Sequence, residues 1–252
     1  MSQADGVIAM TGLESLFQRY RYLLFFDTET TGLHPEENDR ITELAMVRIG
    51  PEELHTEDVF IQLPPGMTIP EQIKELTGIS EKMCAEGLTE AEAAELFLSQ
   101  VPPSTLVIAY NAQFDLRFIA RMCIRQGKTI HADYLDPMTI FKDRRPYPHR
   151  LENAIEAYCL TDRVQNTHRA IDDVLALVEV TKAMALERDD LADYVNLFGY
   201  HPKYGVSGPR LKGIRYHEQP FRDTVCPPEE TLPELVKPSR LLYKPKHEAI
   251  PV

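Results

Sequence analysis

Three segments near the start of the chain show the residue pattern of β-strands. Short apolar runs, rich in β-branched and aromatic residues, occur at Tyr22–Asp27, Ile41–Ile49 and Val59–Leu63. The polar connections between them are short, which is typical of an antiparallel meander. A fourth run, Thr105–Tyr110, is apolar almost throughout, and this pattern predicts a buried strand in a parallel arrangement. Residues 129–136 are predicted to form the last strand of the sheet.

Helical patterns occupy most of the remaining chain up to about residue 190. The predicted helices are Pro70–Leu76, Ser80–Glu86, a segment that begins at Thr89 as N-cap, Ala112–Gln126, Leu151–Tyr158 and His168–Arg188. A meander followed by strands that alternate with helices predicts an α/β fold, with a mixed five-stranded sheet flanked by helices. Residues 1–19 are predicted to be a helical or irregular lead-in. Residues 191–252 are rich in Gly, Pro and aromatic residues, and they are predicted to form an irregular C-terminal extension.

The composition is that of a globular protein. The chain has 252 residues, of which 43% are apolar, and this is enough to build a substantial core. No apolar run approaches the roughly 18–20 residues of a membrane span, and the start of the chain does not resemble a signal peptide. The four cysteines are scattered without a close pair, so we expect reduced thiols, a cytoplasmic location and no membrane partner.

The charge is unevenly distributed along the chain. A net charge of −12 argues against a broad nucleic-acid-binding surface, which would carry an excess of Lys and Arg. The segment from Val195 to His217 nevertheless contains no acid and several cations, and Lys142–Arg150 forms a second basic cluster. For both segments, solvated surface charge and contact with phosphates remain alternative interpretations.

Two acids at the end of the first predicted strand require an explanation. Asp27 and Glu29 are two residues apart, and side chains at positions i and i+2 of a strand point to the same face. Neither has a Lys or Arg beside it in the sequence. A bound cation would neutralise the pair, and it would need further oxygen ligands from elsewhere in the chain.

The helix after the fourth strand offers one such ligand. Asp115 shares a helical face with Phe118, Ile119 and Met122, where an unpaired carboxylate would be destabilising. A purely structural interpretation is a buried Asp satisfied by backbone donors or by Asn111. The solvent side of this helix is predicted from its arginines, Arg117, Arg121 and Arg125.

The last predicted helix offers another acid and a histidine. Asp173 shares a face with apolar residues, whereas its neighbour Asp172 shares one with Glu179, so Asp173 is the buried candidate. His168 lies at the start of this helix, where a histidine is often only a capping or surface residue. Its ordinary pKa near 6.5 also makes it the natural proton acceptor at neutral pH.

Taken together, these residues strongly resemble the histidine-containing (DEDDh) branch of the DEDD exonuclease superfamily, which includes the proofreading subunit of bacterial DNA polymerase III. The motifs are "DTETTG", "NAQFD" and "HRAIDD", and the resemblance extends over roughly residues 20–190. It implies a ribonuclease H-like fold and a metal-dependent 3′–5′ exonuclease that releases nucleoside 5′-monophosphates.

The resemblance also implies roles for individual residues. It makes His168 the general base and the four acids the ligands of two Mg²⁺ or Mn²⁺ ions, these acids being Asp27, Glu29, Asp115 and Asp173. It places Thr30 and Asn111 beside the terminal nucleotide. Tyr110 is a departure, because many relatives have His at this position, and it puts a detail of substrate contact in doubt.

Three functions are compatible with these motifs. The first is hydrolysis of DNA from single-stranded or frayed 3′ ends, by a free-standing enzyme or in association with a DNA polymerase. The second is 3′–5′ trimming of RNA by an exoribonuclease of the same superfamily. The third is a catalytically silent nucleic-acid-binding module. The C-terminal extension is predicted to pack on the core, to contact the substrate or to bind a polymerase.

Overall fold

The computed structural model describes residues 12–51 and 53–219, and the lead-in before residue 12 and the tail after residue 219 lie outside the described residues. At its centre is a five-stranded sheet with the strand order β3-β2-β1-β4-β5. β1 pairs with β2, and β2 with β3, in antiparallel fashion, whereas β1–β4 and β4–β5 are parallel. The predicted mixed five-stranded sheet is therefore confirmed.

The strands of the main sheet are β1 (Tyr22–Thr30), β2 (Ile41–Ile49), β3 (Leu54–Phe60), β4 (Thr105–Ile108) and β5 (Asp133–Leu135). The helices are α1 (Glu14–Phe17), α2 (Glu71–Thr77), α3 (Glu81–Ala85), α4 (Glu90–Ser99), α5 (Ala112–Arg125), α6 (Pro137–Arg144), α7 (Leu151–Ala157) and α8 (Ala170–Glu187). Thr89 caps α4 as predicted, since its side chain and that of Glu92 form a reciprocal capping box. No helix in the described part of the chain is long and apolar enough to cross a membrane.

Each face of the sheet is covered by its own core. On one face, alternate β1 residues such as Leu23 and Phe25 pack with α7 and α8. On the other face, Leu24 and Phe26 pack with α4 and α5. Because successive side chains of a strand point to opposite faces, β1 is buried on both sides up to its last residues. Helices from both layers therefore meet at the carboxyl end of β1.

The third strand differs from its prediction. The sequence placed it at Val59–Leu63, but β3 runs from Leu54 to Phe60 through residues predicted to be a turn. β3 is an edge strand, and none of its residues is fully buried. It therefore lacks the alternation of apolar and polar residues by which a strand is recognised.

Helix α6 was not predicted, and the basic cluster around it lies only partly at the surface, since Arg150 is exposed but Arg144 is not. Neither surface charge nor phosphate contact describes Arg144, which is fully buried and bonded to Glu187 and Asp190. Arg145 also binds Glu187, at 2.9 Å. Arg117, predicted on the solvent side of α5, is 6% exposed and binds Glu36 through two nitrogens. In each case a distant carboxylate allows the guanidinium to be buried.

The described part of the C-terminal extension contains regular elements. A 3-10 helix at Leu191–Tyr194 leads into β6 (Leu197–Tyr200), which pairs in parallel with β7 (Arg215–Glu218). The extension is attached to the main sheet where the Asn196 amide N–H donates to the carbonyl of Tyr134 in β5, at 2.8 Å. The extension therefore covers the β5 edge, and its packing on the core is one of the roles predicted for it.

Candidate active site

The first two acids of the site lie where β1 extends beyond its parallel neighbour. β4 ends at Ile108, which pairs with Phe25, so Asp27 and Glu29 lie past the end of β4. Both are half-buried, and they alternate to the face of the sheet on which α8 packs. The site thus lies at the carboxyl end of the central strand, which is open to solvent.

Helix α8 brings a third acid to this pair. One carboxylate oxygen each of Asp27, Glu29 and Asp173 lies within 4.8 Å of the other two. Asp173 is 7% exposed, and its Oδ1 has no hydrogen-bond partner among the described residues. The prediction that Asp173 is the buried acid of the adjacent pair is confirmed, since Asp172 is only half-buried and accepts from the Thr167 hydroxyl.

Asp115, the fourth predicted acid, approaches from the opposite layer. It lies in the first turn of α5, and its Oδ1 accepts hydrogen bonds from the backbone N–H of Thr28 at 3.2 Å and from the Thr28 hydroxyl at 2.6 Å. Thr28 lies between the two β1 acids and faces the α5 side. The structure therefore does not place Asp115 in the three-carboxylate group, although it is close enough to raise the pKa of Asp27.

Withdrawal from water and mutual repulsion raise the pKa values of these acids. The pKa of Asp27 lies well above its usual range because the group is desolvated and close to Asp115, Asp173 and Glu29. Desolvation, followed by repulsion from Asp173, raises the pKa of Glu29 to about 8. Desolvation is also the largest cause of the raised pKa values of Asp115 and Asp173, each about 7. A cluster of this kind is destabilised when it ionises without a counterion.

A further carboxylate, which the sequence reasoning missed, lies beside the site. Glu43 in β2 is directly opposite Glu29 in the strand register and is fully buried. Arg169 neutralises it, with the Arg169 Nε at 2.9 Å from one oxygen, and the backbone N–H of Ala170 donates to the other at 3.0 Å. Glu43 therefore fixes the start of α8, which carries Asp173, and it forms an ion pair with Arg169.

His168 lies immediately before α8, in an exposed bend. Its backbone is left-handed, with φ at +58°, a conformation that residues with a side chain rarely adopt. No hydrogen bond within the described residues holds its imidazole. The ring is therefore accessible to solvent, just before the start of the helix that supplies Asp173.

The structure gives different surroundings to the residues predicted to contact the substrate. Asn111 is exposed and left-handed, with φ at +61°, and its backbone N–H donates to Asp136 Oδ1 at 2.9 Å. Thr30 is buried, and its hydroxyl donates to the carbonyl of Gly32 at 2.7 Å. Tyr110 is buried and donates to the carbonyl of His149 at 2.9 Å, so this departure from the DEDDh pattern alters the core.

The donor set suits a hard divalent cation. Three carboxylates supply only oxygen ligands, the type that Mg²⁺ and Mn²⁺ prefer. The orphaned buried Oδ1 of Asp173 is an additional sign that a ligand belongs here. No Lys or Arg of the described chain forms a salt bridge with Asp27, Glu29 or Asp173, so no side-chain cation takes the place of a metal.

Comparison with known proteins identifies the family. A family model described as "Exonuclease" (RNase T) matches residues 24–181, which is more than half of the chain and includes all the motif residues. The chain therefore belongs to the exonuclease family.

Several curated proteins are similar to the chain. It is 32% identical over 210 residues to the PolC-type DNA polymerase III of Clostridium perfringens, an alignment that covers 83% of this chain but only 14% of that protein. It is 25% identical over 180 residues to the DNA polymerase III subunit epsilon of Rickettsia prowazekii, covering 69% of this chain and 78% of the relative. The chain thus spans a small part of the PolC-type relative and most of the length of the epsilon subunit.

The fold also resembles solved structures. E. coli Exonuclease I in complex with a dA16 oligonucleotide superposes with a TM-score of 0.61 and 23% identity, over 69% of this chain and 42% of that protein. At this identity the likeness supports the fold alone, and it agrees with the predicted ribonuclease H-like, α/β architecture.

Proposed function

We propose that this protein is a metal-dependent 3′–5′ exonuclease that hydrolyses the terminal phosphodiester bond of DNA and releases nucleoside 5′-monophosphates. The observation that carries the proposal is the convergence of Asp27, Glu29 and Asp173 within 4.8 Å, on the strand and helix that hold two of the three motifs. Membership of the exonuclease family supports the same reaction class.

The roles of the acids follow from their positions. Asp27, Glu29 and Asp173 are the proposed ligands of a divalent ion, and Asp115 is the proposed ligand of a second ion through the oxygen not occupied by Thr28. Two Mg²⁺ or Mn²⁺ ions, when bound, would neutralise the acids, activate a water and stabilise the leaving oxygen. Through these ions the four acids would hold the scissile phosphate at the end of β1.

His168 and two neighbouring residues are assigned to the substrate. The exposed imidazole of His168 accepts the proton of the attacking water. General-base catalysis of this kind accelerates a reaction roughly 10²–10⁴-fold. The Asn111 side chain does not cap α5, which leaves its amide for the terminal nucleotide. Thr30 contributes through its backbone, because its hydroxyl is already bonded to Gly32.

The test is release of mononucleotides from a labelled 3′ end. Single-stranded DNA, a duplex with a mismatched 3′ terminus and RNA of the same sequence are compared with Mg²⁺, Mn²⁺ or EDTA. We expect metal-dependent, EDTA-sensitive hydrolysis of DNA that Asp27→Ala abolishes and the exposed control Asp162→Ala does not. Faster turnover of RNA would assign the chain to RNA trimming. The absence of turnover on all three substrates would indicate that the protein is a catalytically silent nucleic-acid-binding module.

Association with a DNA polymerase belongs to the same proposal. It is supported by the names of the relatives, which are a PolC-type polymerase and epsilon subunits of DNA polymerase III. Co-purification of the chain with a polymerase from its own cells would test it. A cytoplasmic location, expected from the scattered thiols, accords with a DNA substrate.

A further inference from the structure

The long connection between β6 and β7 is rich in exposed cations that form no salt bridge within the described residues. We call residues 201–215 the basic loop. Its cations are Lys203, Arg210, Lys212 and Arg215, and all four are exposed. None of them forms a salt bridge within the described residues, whereas the whole chain has a net charge of −12. An exposed cluster of unpaired cations on an acidic protein is an electrostatic site for an anion.

The basic loop is held firmly against α5. The Gln113 amide donates to the carbonyl of Pro209 at 2.7 Å, and its oxygen accepts from the Tyr216 hydroxyl, also at 2.7 Å. Gly208 packs against the Arg117 guanidinium so closely that an added Cβ would lie 2.2 Å from it. The middle of the loop is therefore attached to α5.

These anchor points connect the loop to the acidic site. Gln113 and Arg117 share a face of α5, and this face is turned away from Asp115, two residues along the helix from each. Arg117 also binds Glu36, in the segment that follows Asp27 and Glu29 along the chain. The basic loop is thus attached to the helix that carries Asp115 and, through Arg117, to the segment that follows β1.

Aromatic side chains are interspersed with the cations. The Arg210 guanidinium lies over the Tyr216 ring, 4.6 Å from its centroid, which restricts its movement. Tyr204 is 73% exposed, with the His201 ring 4.7 Å away and the Lys203 ammonium 5.2 Å away. Exposed aromatic rings among cations are typical of surfaces that bind single-stranded nucleic acid, because bases stack on the rings while phosphates contact the cations.

We infer that the basic loop binds the single-stranded nucleic acid on the 5′ side of the terminal nucleotide. Lys203, Arg210 and Lys212 contact phosphates, and Tyr204 stacks on a base. This inference rests on the proposed function and adds a substrate-holding surface that lies beyond residues 24–181, the part matched by the family model. It explains how a chain with a strong negative net charge retains a nucleic acid at an acidic site.

The test compares two pairs of substitutions that each remove two exposed, unpaired cations. The loop pair is Lys203→Ala with Lys212→Ala, and the control pair is Arg21→Ala with Lys82→Ala. Binding is measured in EDTA by fluorescence anisotropy of labelled oligo(dT) of about sixteen nucleotides, the upper end of common site sizes. For single strands, losing two phosphate contacts should reduce the slope of log Kd against log salt by about 1.4, and weaken binding about tenfold at moderate salt.

A second measurement separates this inference from the proposed function. For each pair, kcat/KM is measured on the same oligomer and on the p-nitrophenyl ester of thymidine 5′-monophosphate, which is too small to reach the loop. We expect the ratio of oligomer to ester activity to fall about tenfold in the loop pair and to stay constant in the control pair. Tyr204→Leu should lower oligomer affinity at least about fivefold.

Equal effects of the two pairs would mean that only net charge matters, and would overturn the inference. A loop pair that binds oligo(dT) like the wild type would also overturn it, and would leave the loop as a surface for an acidic protein. Failure of the wild type to hydrolyse either substrate would reject the proposed function instead, because the anisotropy measurement does not depend on turnover.

Discussion

Arg169 forms a two-point ion pair with Glu43, and this pair joins the start of α8 to β2 beside the acidic cluster. Glu43 is fully buried, and its second oxygen also accepts from the Ala170 N–H. The pair removes one carboxylate from the set that must be neutralised by metal. It also fixes the helix start on which both His168 and Asp173 depend.

Loss of Arg169 should therefore destabilise the fold. Arg169→Ala leaves Glu43 buried without its counterion, and we expect the free energy of unfolding to fall by about 3 kcal/mol. Urea unfolding at neutral pH measures this, with the exposed Arg163→Ala as control. Arg169→Lys should be intermediate, since it keeps the charge but loses the two-point geometry. Equal stabilities of Arg169→Ala and the control would contradict this role for the pair.

The acidic cluster predicts how stability depends on pH without metal. Folding raises the pKa values of Asp115 and Asp173 to about 7 and that of Glu29 to about 8. The folded state thus favours the protonated acids, so their contribution is fully present below pH about 4 and is lost as the pH rises through 7–8. We expect urea unfolding in EDTA to show this loss, and Mg²⁺ to reverse it most strongly at high pH.

Asp173→Asn provides the control for this pH dependence. Without the charge of Asp173, its own titration disappears and Glu29 loses the largest of its charge repulsions, so stability should fall less steeply between pH about 5 and 8. Mg²⁺ should also stabilise this variant less than the wild type. The same pH dependence in both proteins would show that the acids are not electrostatically linked.

His168 should affect turnover without affecting metal binding. His168→Ala removes the proton acceptor, and we expect kcat to fall roughly 10²–10⁴-fold while Mn²⁺ affinity stays close to that of the wild type. His168→Gly should be equally inactive but at least as stable, because glycine adopts the left-handed backbone of this position without strain. His131→Ala is the control. A parallel loss of Mn²⁺ affinity would make His168 a metal ligand.

Glu187 predicts an acid-sensitive contact away from the site. Burial by itself would raise its pKa, but the Tyr158 hydroxyl together with Arg145 and Arg144 lowers it to about 2. This acid therefore stabilises the fold above its ordinary pKa near 4.5, and the contribution is lost as the pH falls towards 2. Glu187→Gln should lower the free energy of unfolding by about 3 kcal/mol at neutral pH.

The comparison variant for Glu187 is Glu179→Gln, which breaks a half-buried pair with Lys182, three residues along the same helix. Such a pair contributes at most about 0.5 kcal/mol, so this variant should unfold like the wild type. A difference between wild type and Glu187→Gln that persists unchanged at pH about 2.5 would contradict the ionic origin of the stabilisation.

The sequence alone predicted the elements whose own residues carry a clear apolar or capping pattern. β1, β2 and β4 were predictable because their cores are continuous apolar runs, and Thr89 because its capping box is local. β3 was misplaced because an exposed edge strand needs no apolar pattern. α6 was missed although Asp136 as N-cap and Pro137 at the first helical position form a local start signal.

The acids of the candidate site were predictable for a similar reason, since Asp27 and Asp173 each interrupt an apolar pattern in their own element, and Glu29 shares a strand face with Asp27. The residues that hold the acidic side chains in place were not predictable. Thr28 is 87 positions from Asp115, and Glu43 is 126 positions from Arg169, and only the packing of the helices on the sheet brings each pair together. The position of the basic loop likewise depends on the docking of Gln113, which no local pattern reveals.

The most direct test of the central claim is calorimetric titration of the purified protein with Mn²⁺ at neutral pH. We expect saturable binding with release of protons, because the raised pKa values leave the acids partly protonated at neutral pH before metal binds. Asp27→Asn should greatly weaken this binding, and Asp162→Asn should not. Absence of saturable binding by the wild type, or unchanged binding by Asp27→Asn, would show that these carboxylates do not form a metal site.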